Sequence, residues 1–206
     1  MKLKKVLFWI LAVVISMAAM VYQRLTGPTY LKDYEFTRSG VEYKFDLPRS
    51  HGGETDCPIE LELPESFTGK VIWRNFPTEN PWDTLTLVRK DGMLTASLPH
   101  QPPAGKLEYH LMLNAGGQNI DLGDTENVVI RFKAHVPTWA LLPHVLLMVL
   151  TVIWSTATIF FALANMPVYK RHVGMTLIFL ILGGFILGPI VQKFSFGQFW
   201  TGWPLG

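Results

Sequence analysis

The chain has 206 residues, 49% of them hydrophobic, and 18 Lys and Arg against 16 Asp and Glu give a formal net charge of +2. So slight a charge, with no basic stripe interleaved with aromatics, excludes a nucleic-acid footprint. A single cysteine, Cys57, excludes an internal disulfide framework.

Residues 1–5 read Met1-Lys2-Leu3-Lys4-Lys5, and the run Val6–Tyr22 that follows holds no Asp, Glu, Lys or Arg. At ~1.5 Å per residue it reaches about 25 Å, the short limit for a hydrocarbon core of ~30 Å. Residues 6–22 are a predicted transmembrane helix and residues 1–5 its cytoplasmic tail. The run extends through Met20 and Val21, past the ~7–15 residues of a signal-peptide core, so a retained signal anchor is expected. The alternative is a cleaved signal peptide with Ser16-Met17-Ala18 as its small-x-small site.

Residues 28–135 have the size of one small domain. Short alternating runs follow one another between turn residues: Val41–Leu47, Ile59–Leu63, Lys70–Phe76, Thr84–Val88, Met93–Leu98, Lys106–Leu113 and Asn127–Lys133. Pro48, Pro64 and Pro77 close three of them, and Asp91-Gly92 is a hairpin signal between the fourth and fifth. By period two, Leu107, Tyr109, Leu111 and Leu113 share one face, with Glu108 and His110 on the other. Val71 and Trp73 likewise share a face. Seven strands at this spacing predict an antiparallel β-sandwich.

The motifs Gly69-Lys70-Val71-Ile72-Trp73-Arg74, Trp82 after a Pro-Trp turn, Leu94–Pro99 and Pro103-Ala104-Gly105-Lys106-Leu107-Glu108-Tyr109 carry a likeness. Over about residues 36–135 the chain resembles bacterial extracytoplasmic modules of the immunoglobulin/fibronectin type III kind. The resemblance implies a spacer, a docking surface or a ligand-binding accessory. The paired cysteines of immunoglobulin domains proper are absent. Within this insert His51-Gly52-Gly53-Glu54-Thr55-Asp56-Cys57 makes His51 and Cys57 candidate copper or zinc ligands. The competing reading is an exposed inter-strand loop, which the glycines and acids suit. That reading is preferred because no second ligand cluster of matching spacing follows.

Residues 138–165 hold the second predicted span, with Ala140–Ala164 free of Asp, Glu, Lys and Arg. Residues 166–172, including Lys170 and Arg171, form a basic loop, and residues 173–191 are the third span. Both Lys/Arg clusters belong on the cytoplasmic side, which places the insert and the C-terminus outside, at the periplasmic or extracellular face. The predicted fold is a multi-pass α + β membrane protein, three helices with the sandwich between the first and second.

His144 is the one ionisable residue in an apolar span, a candidate haem ligand or proton carrier; the plainer reading is an interfacial histidine near Trp139. Gly184 and Gly188, four apart, predict a close helix-packing face, with Ala12 and Ser16 a weaker one, and Pro189 is expected to end or kink the third helix. Residues 192–206 form an exported aromatic segment in which Trp200 and Trp203, like Trp139, suit the membrane–water interface.

No Walker loop, GxSxG elbow, HExxH pair, CxxCH haem attachment or CxxC pair occurs. The expected function is non-enzymatic: a membrane-anchored accessory, docking or assembly protein whose partners are the lipid bilayer and either other membrane subunits or further copies of itself. No cofactor is required by that reading. The alternative is a subunit of a redox or transport complex that uses His144 and the aromatic C-terminal segment; the alternative cofactors are haem at His144, or a copper or zinc ion at His51 and Cys57.

Overall fold

The structure, a computed structural model, describes residues 2–38, 40–123 and 127–200. The chain divides into a β unit, Pro28–Ala134, and a helical unit made of Met1–Gly27 and His135–Gly206. It is therefore an α + β protein, and three of its helices are long and apolar enough to cross a membrane.

Eleven strands occur among the described residues of the β unit. Lys32–Arg38 (β1) and Val41–Leu47 (β2) form a two-stranded antiparallel ribbon. The largest sheet contains Ser50–Gly52 (β3), Phe67–Asn75 (β5), Asp83–Thr86 (β6), Lys106–Ala115 (β9), Gln118–Asp121 (β10) and Val128–Lys133 (β11). Its order is β3-β11-β9-β5-β6, with β10 also on β9. The third sheet holds Cys57–Leu61 (β4), Val88–Lys90 (β7) and Met93–Leu98 (β8) in the order β4-β8-β7. All pairings are antiparallel except β3 with β11.

Period-two alternation explains the core. In β4, Cys57, Ile59 and Leu61 are buried while Pro58 and Glu60 are exposed. In β9, Leu107, Tyr109, Leu111 and Leu113 are all fully buried, and Val128, Ile130 and Phe132 of β11 join them. These side chains, with Phe45 and Leu47 of the ribbon, Val71 of β5 and Leu98 of β8, form one apolar cluster. Each large aliphatic buried this way stabilises the fold by about 1.5–3 kcal/mol. Trp73 packs at the margin of the cluster beside Val71, as their shared face requires.

Several boundaries differ from the sequence expectation. The single predicted strand Thr84–Val88 is broken at Leu87, which is buried and donates its N–H to the Gly69 carbonyl. The chain thereby leaves the large sheet after β6 and enters the small one as β7. β1, β3 and β10 were absent from the predicted strands. β3 has three residues and is held by its parallel pairing to β11, while β10 is held by pairing to β9 and by Ile120, which packs against the core cluster. The Asp91-Gly92 hairpin is present: Lys90 pairs with Met93, and both loop residues have positive φ, 49° and 83°, as a two-residue turn of the primed type needs.

In the helical unit, α1 spans Lys2–Thr26 and α2 spans Thr138–Leu163. The third long helix, Tyr169–Phe196, has three parts: α3 (Tyr169–Leu180), a π-helical segment (Ile181–Leu187) and α4 (Gly188–Phe196). At ~1.5 Å per residue these helices exceed a ~30 Å hydrocarbon core, and each runs past at least one end of its expected charge-free span. Helices begin at Lys2 and Tyr169 although charged residues follow, because Lys and Arg are good helix formers outside the apolar layer.

The small face of α1 packs on α2. Ala12 and Ser16 are buried, and the Ser16 hydroxyl donates to Thr156 Oγ1 at 3.1 Å. Phe8 stacks on Phe160, and Trp9 meets Trp154 edge-on. The expected break at Pro189 takes a different form. Helix continues to Phe196 because Pro189 stands in the first turn of α4, where its missing N–H disturbs least. The widened π turns just before it absorb the disruption instead.

Candidate functional site

The β unit concentrates its polar chemistry on the outward side of β5 and β9. The antiparallel register sets Arg74 opposite Glu108 and Ile72 opposite His110. Arg74 Nε donates to Glu108 Oε1 as an ion pair, and the Arg74 guanidinium lies over the Trp82 ring at 4.4 Å from its centroid. Trp82 meets the His110 ring edge-on at 5.2 Å, and His110 Nε2 is 3.8 Å from Asp121 Oδ1. Asp121 comes from the end of β10, which the pairing of β10 with β9 brings alongside His110.

Burial in this cluster is uneven. Glu108 is only 7% exposed although its strand position is outward, because Arg74 covers it. Trp82 is 38% exposed and forms the outer surface of the cluster. The approach beneath His110 is close: a Cβ on Gly123 would fall 2.6 Å from His110 Cγ. His110 Nδ1 is buried without a hydrogen-bond partner among the described residues. The result is a preorganised aromatic and cationic surface whose charges are already paired. Among the described residues it holds no group of three or more His, Cys, Asp or Glu placed to bind one metal ion.

His51 and Cys57 occupy different sheets. His51, in β3, has its Nε2 3.2 Å from Thr55 Oγ1 and its ring edge-on to Phe132. Cys57 is 2% exposed on the core face of β4, and burial pushes its thiol up to about 11. No group of three or more His, Cys, Asp or Glu placed to hold one metal ion occurs among the described residues. Tyr109 lies in the same core and donates its hydroxyl to the Pro48 carbonyl at 2.8 Å. Burial first, then the neighbouring Cys57 and Tyr34, holds its phenol well above the usual value.

In the helical unit the structure joins His144 to the glycine-rich segment. His144 Nδ1 lies 2.9 Å from the Gly183 carbonyl, which also accepts the Gly188 N–H in a π-helical turn. A carbonyl only accepts, so Nδ1 carries the proton and, in the neutral ring, Nε2 presents a lone pair. The tight approach of the third helix to α2 falls at Gly183, where an added Cβ would sit 2.7 Å from Leu147 Cβ. Gly184 and Gly188 have more room, 3.3 Å and 3.7 Å to their nearest atoms. Both still approach α2, an added Cβ lying 3.7 Å from Met148 Sδ at Gly184 and 3.8 Å from His144 Cε1 at Gly188.

Trp139 is 62% exposed and meets Phe194 edge-on, and Trp200 is 50% exposed. Trp203 lies outside the described residues. The sequence analysis did not foresee the aromatic surround of His172, which stacks on Phe161 at 4.9 Å and meets Trp9 edge-on at 5.5 Å. It also did not foresee the Arg74–Trp82–His110–Asp121 grouping. The available signal was the pair of outward charges, Arg74 and Glu108, on two strands that turned out to be neighbours. No protein-family model matches the chain, and no curated protein matches it.

Proposed function

We propose that this chain is a non-enzymatic, membrane-anchored docking or assembly protein that presents an immunoglobulin/fibronectin type III-like β-sandwich at the outer face of the membrane. One observation carries the docking role: Trp82, 38% exposed, is clamped by Arg74 and His110 on the outward side of β5 and β9. Trp and Arg are the residue types that dominate binding energy in interfaces, and a side chain already fixed loses little freedom when a partner covers it.

The strand order supports the sandwich. The neighbours β11-β9-β5 run as the G-F-C side of such modules does, and β4-β8-β7 as the B-E-D side. The Lys/Arg clusters at residues 2–5 and 170–171 support a cytoplasmic N-terminus, an exported insert and an exported C-terminus. Protease added to spheroplasts should cut within residues 23–139 and spare Lys170-Arg171; the reverse pattern inverts the topology.

The test of docking is purification of the full chain in mild detergent, with co-purifying proteins identified by mass spectrometry, beside Trp82→Ala. Loss of an interface anchor costs about 2 kcal/mol or more, some 30-fold in affinity. A partner that is retained equally by Trp82→Ala refutes this surface, and a partner-free monomer refutes the role.

A redox or transport role is the second reading, and the His144–Gly183 bond favours it. Histidines that ligate metals usually donate their other ring N–H to a carbonyl or carboxylate, which leaves the second nitrogen free to coordinate. His144→Leu together with an optical spectrum of the purified protein separates the readings. A Soret band lost in the variant supports ligation, and a featureless spectrum with a silent substitution removes it.

A further inference from the structure

All 16 acidic residues lie within 28–134, so the helical unit carries Lys2, Lys4, Lys5, Arg24, Lys170, Arg171 and Lys193 with no carboxylate of its own. Two of these cations edge a cavity. Lys4 and Lys5, from the first turn of α1, face the turn between α2 and α3, residues 164–168, across a space of about 380 Å³. That is within the range of small-ligand sites, ~300–1,000 Å³.

The lining is two-sided. Lys4 and Lys5 supply ammonium groups that make no ion pair or hydrogen bond among the described residues. Asn165, held at φ 51°, also lines the space, and its amide is without a partner among the described residues. Ala164, Met166, Pro167 and Val168 make the opposite wall apolar. Backbone donors contribute little, because the N–H groups of Asn165, Met166, Tyr169, Lys170 and Arg171 are spent within the turn itself. The cavity stands where all three membrane-length helices have an end, which in a bilayer they span would be the level of the polar headgroups.

We infer that this cavity binds the phosphate of an anionic phospholipid, with Lys4 and Lys5 on the phosphate, the Asn165 amide on the glycerol or headgroup oxygens, and the Met166–Val168 wall against the first methylenes of the acyl chains. The apolar wall selects a lipid over a free phosphate, and the paired lysines select an anionic headgroup over a zwitterionic one. The site is independent of the Trp82 surface and of His144.

The experiment uses the full chain in detergent micelles, titrated with short-chain phosphatidylglycerol, short-chain phosphatidylcholine or inorganic phosphate and read by native mass spectrometry. Phosphatidylglycerol should be retained in preference to phosphatidylcholine. Lys4→Gln with Lys5→Gln should weaken it at least about 30-fold, because each lysine gives the phosphate a direct charge-assisted hydrogen bond. Lys4→Arg with Lys5→Arg should preserve it. Ala164→Trp, which fills the cavity and leaves the charges, should abolish it while circular dichroism shows the helices intact.

The control is Lys170→Gln with Arg171→Gln, which removes the same charge from outside the cavity lining and should change the affinity only a few-fold. Equal losses in the two double variants would mean a diffuse surface attraction and overturn the site. Equal retention of both lipids, or displacement of phosphatidylglycerol by equimolar inorganic phosphate, would overturn the lipid assignment.

Discussion

Cys57 is the sole thiol of the chain, so its labelling rate reports on one strand without background. In the folded protein two routes lead to modification. Direct attack needs the thiolate, and raising the thiol from its ordinary 9.0 to about 11 lowers that population about 100-fold at neutral pH. The alternative is opening of β4, which exposes the fully buried Ile59 and Leu61 at about 1.5–3 kcal/mol each, again a factor of at least about 100.

By either route a maleimide should react at least about 100-fold more slowly with the native full chain than with the chain in denaturant. Leu98 is the cross-strand partner of Cys57 and is fully buried, and Leu98→Ala costs about 2–5 kcal/mol. If opening controls the reaction, that variant should label at least about 30-fold faster than wild type. The sign with pH is also fixed. The folded value lies above the unfolded one, so this contribution to stability is complete below pH 9.0 and is lost as pH rises towards about 11. Cys57→Ala should lack that alkaline loss. Native labelling within tenfold of the denatured rate would refute the burial of Cys57 in β4, and a Leu98→Ala variant that labels no faster would exclude the opening route.

Tyr109→Phe deletes the hydroxyl that donates to the Pro48 carbonyl at 2.8 Å, and should destabilise the β unit by about 1–3 kcal/mol in chemical denaturation. Gly183→Ala places a methyl 2.7 Å from Leu147 Cβ and should lower the melting temperature of the detergent-solubilised helices, by about 1–3 kcal/mol equivalent. Gly184→Ala, whose nearest neighbour is 3.3 Å away on the flexible Leu180 side chain, should cost less; equal losses would return the packing face to Gly184.

Much of the architecture was legible because burial leaves a periodic trace. Three charge-free runs announced three long helices, and β2 and β8 occupy the residues their alternation predicted. The Leu107–Leu113 face was equally plain. What stayed hidden depends on partners distant in sequence. β3 exists through β11, and no three-residue segment displays that by itself. Glu108 was placed outward correctly, yet its burial under Arg74 required knowing that β5 lies beside β9. The small-residue face of α1 was readable as Ala12 and Ser16, since both lie in regular α-helix. In the third helix an added Cβ at Gly184 or Gly188 would lie 3.7 Å from Met148 or 3.8 Å from His144 of α2, while the tightest contact, at Gly183, lies in the π segment, which alters the angular step on which spacing arguments rely.

The parallel pairing of β3 with β11 has a mechanical consequence. β11 leads out of the β unit towards α2, and β3 follows the β1–β2 ribbon with which the unit begins, with Arg131, Phe132 and Lys133 beside Ser50, His51 and Gly52. Once the β1–β2 ribbon, a hairpin loaded at its open end, has unzipped, tension drawn through the two ends of the unit pulls β3 and β11 in opposite directions along their own axes. The bonds from Arg131 N–H to the Arg49 carbonyl and from Gly53 N–H to the Lys133 carbonyl, both 3.1 Å, are then loaded together in shear. A hairpin pulled at its open end yields one bond at a time, whereas this seam yields only when all its bonds fail at once. A domain tethered at both ends thus carries its strongest resistance to stretching along the line between its tethers.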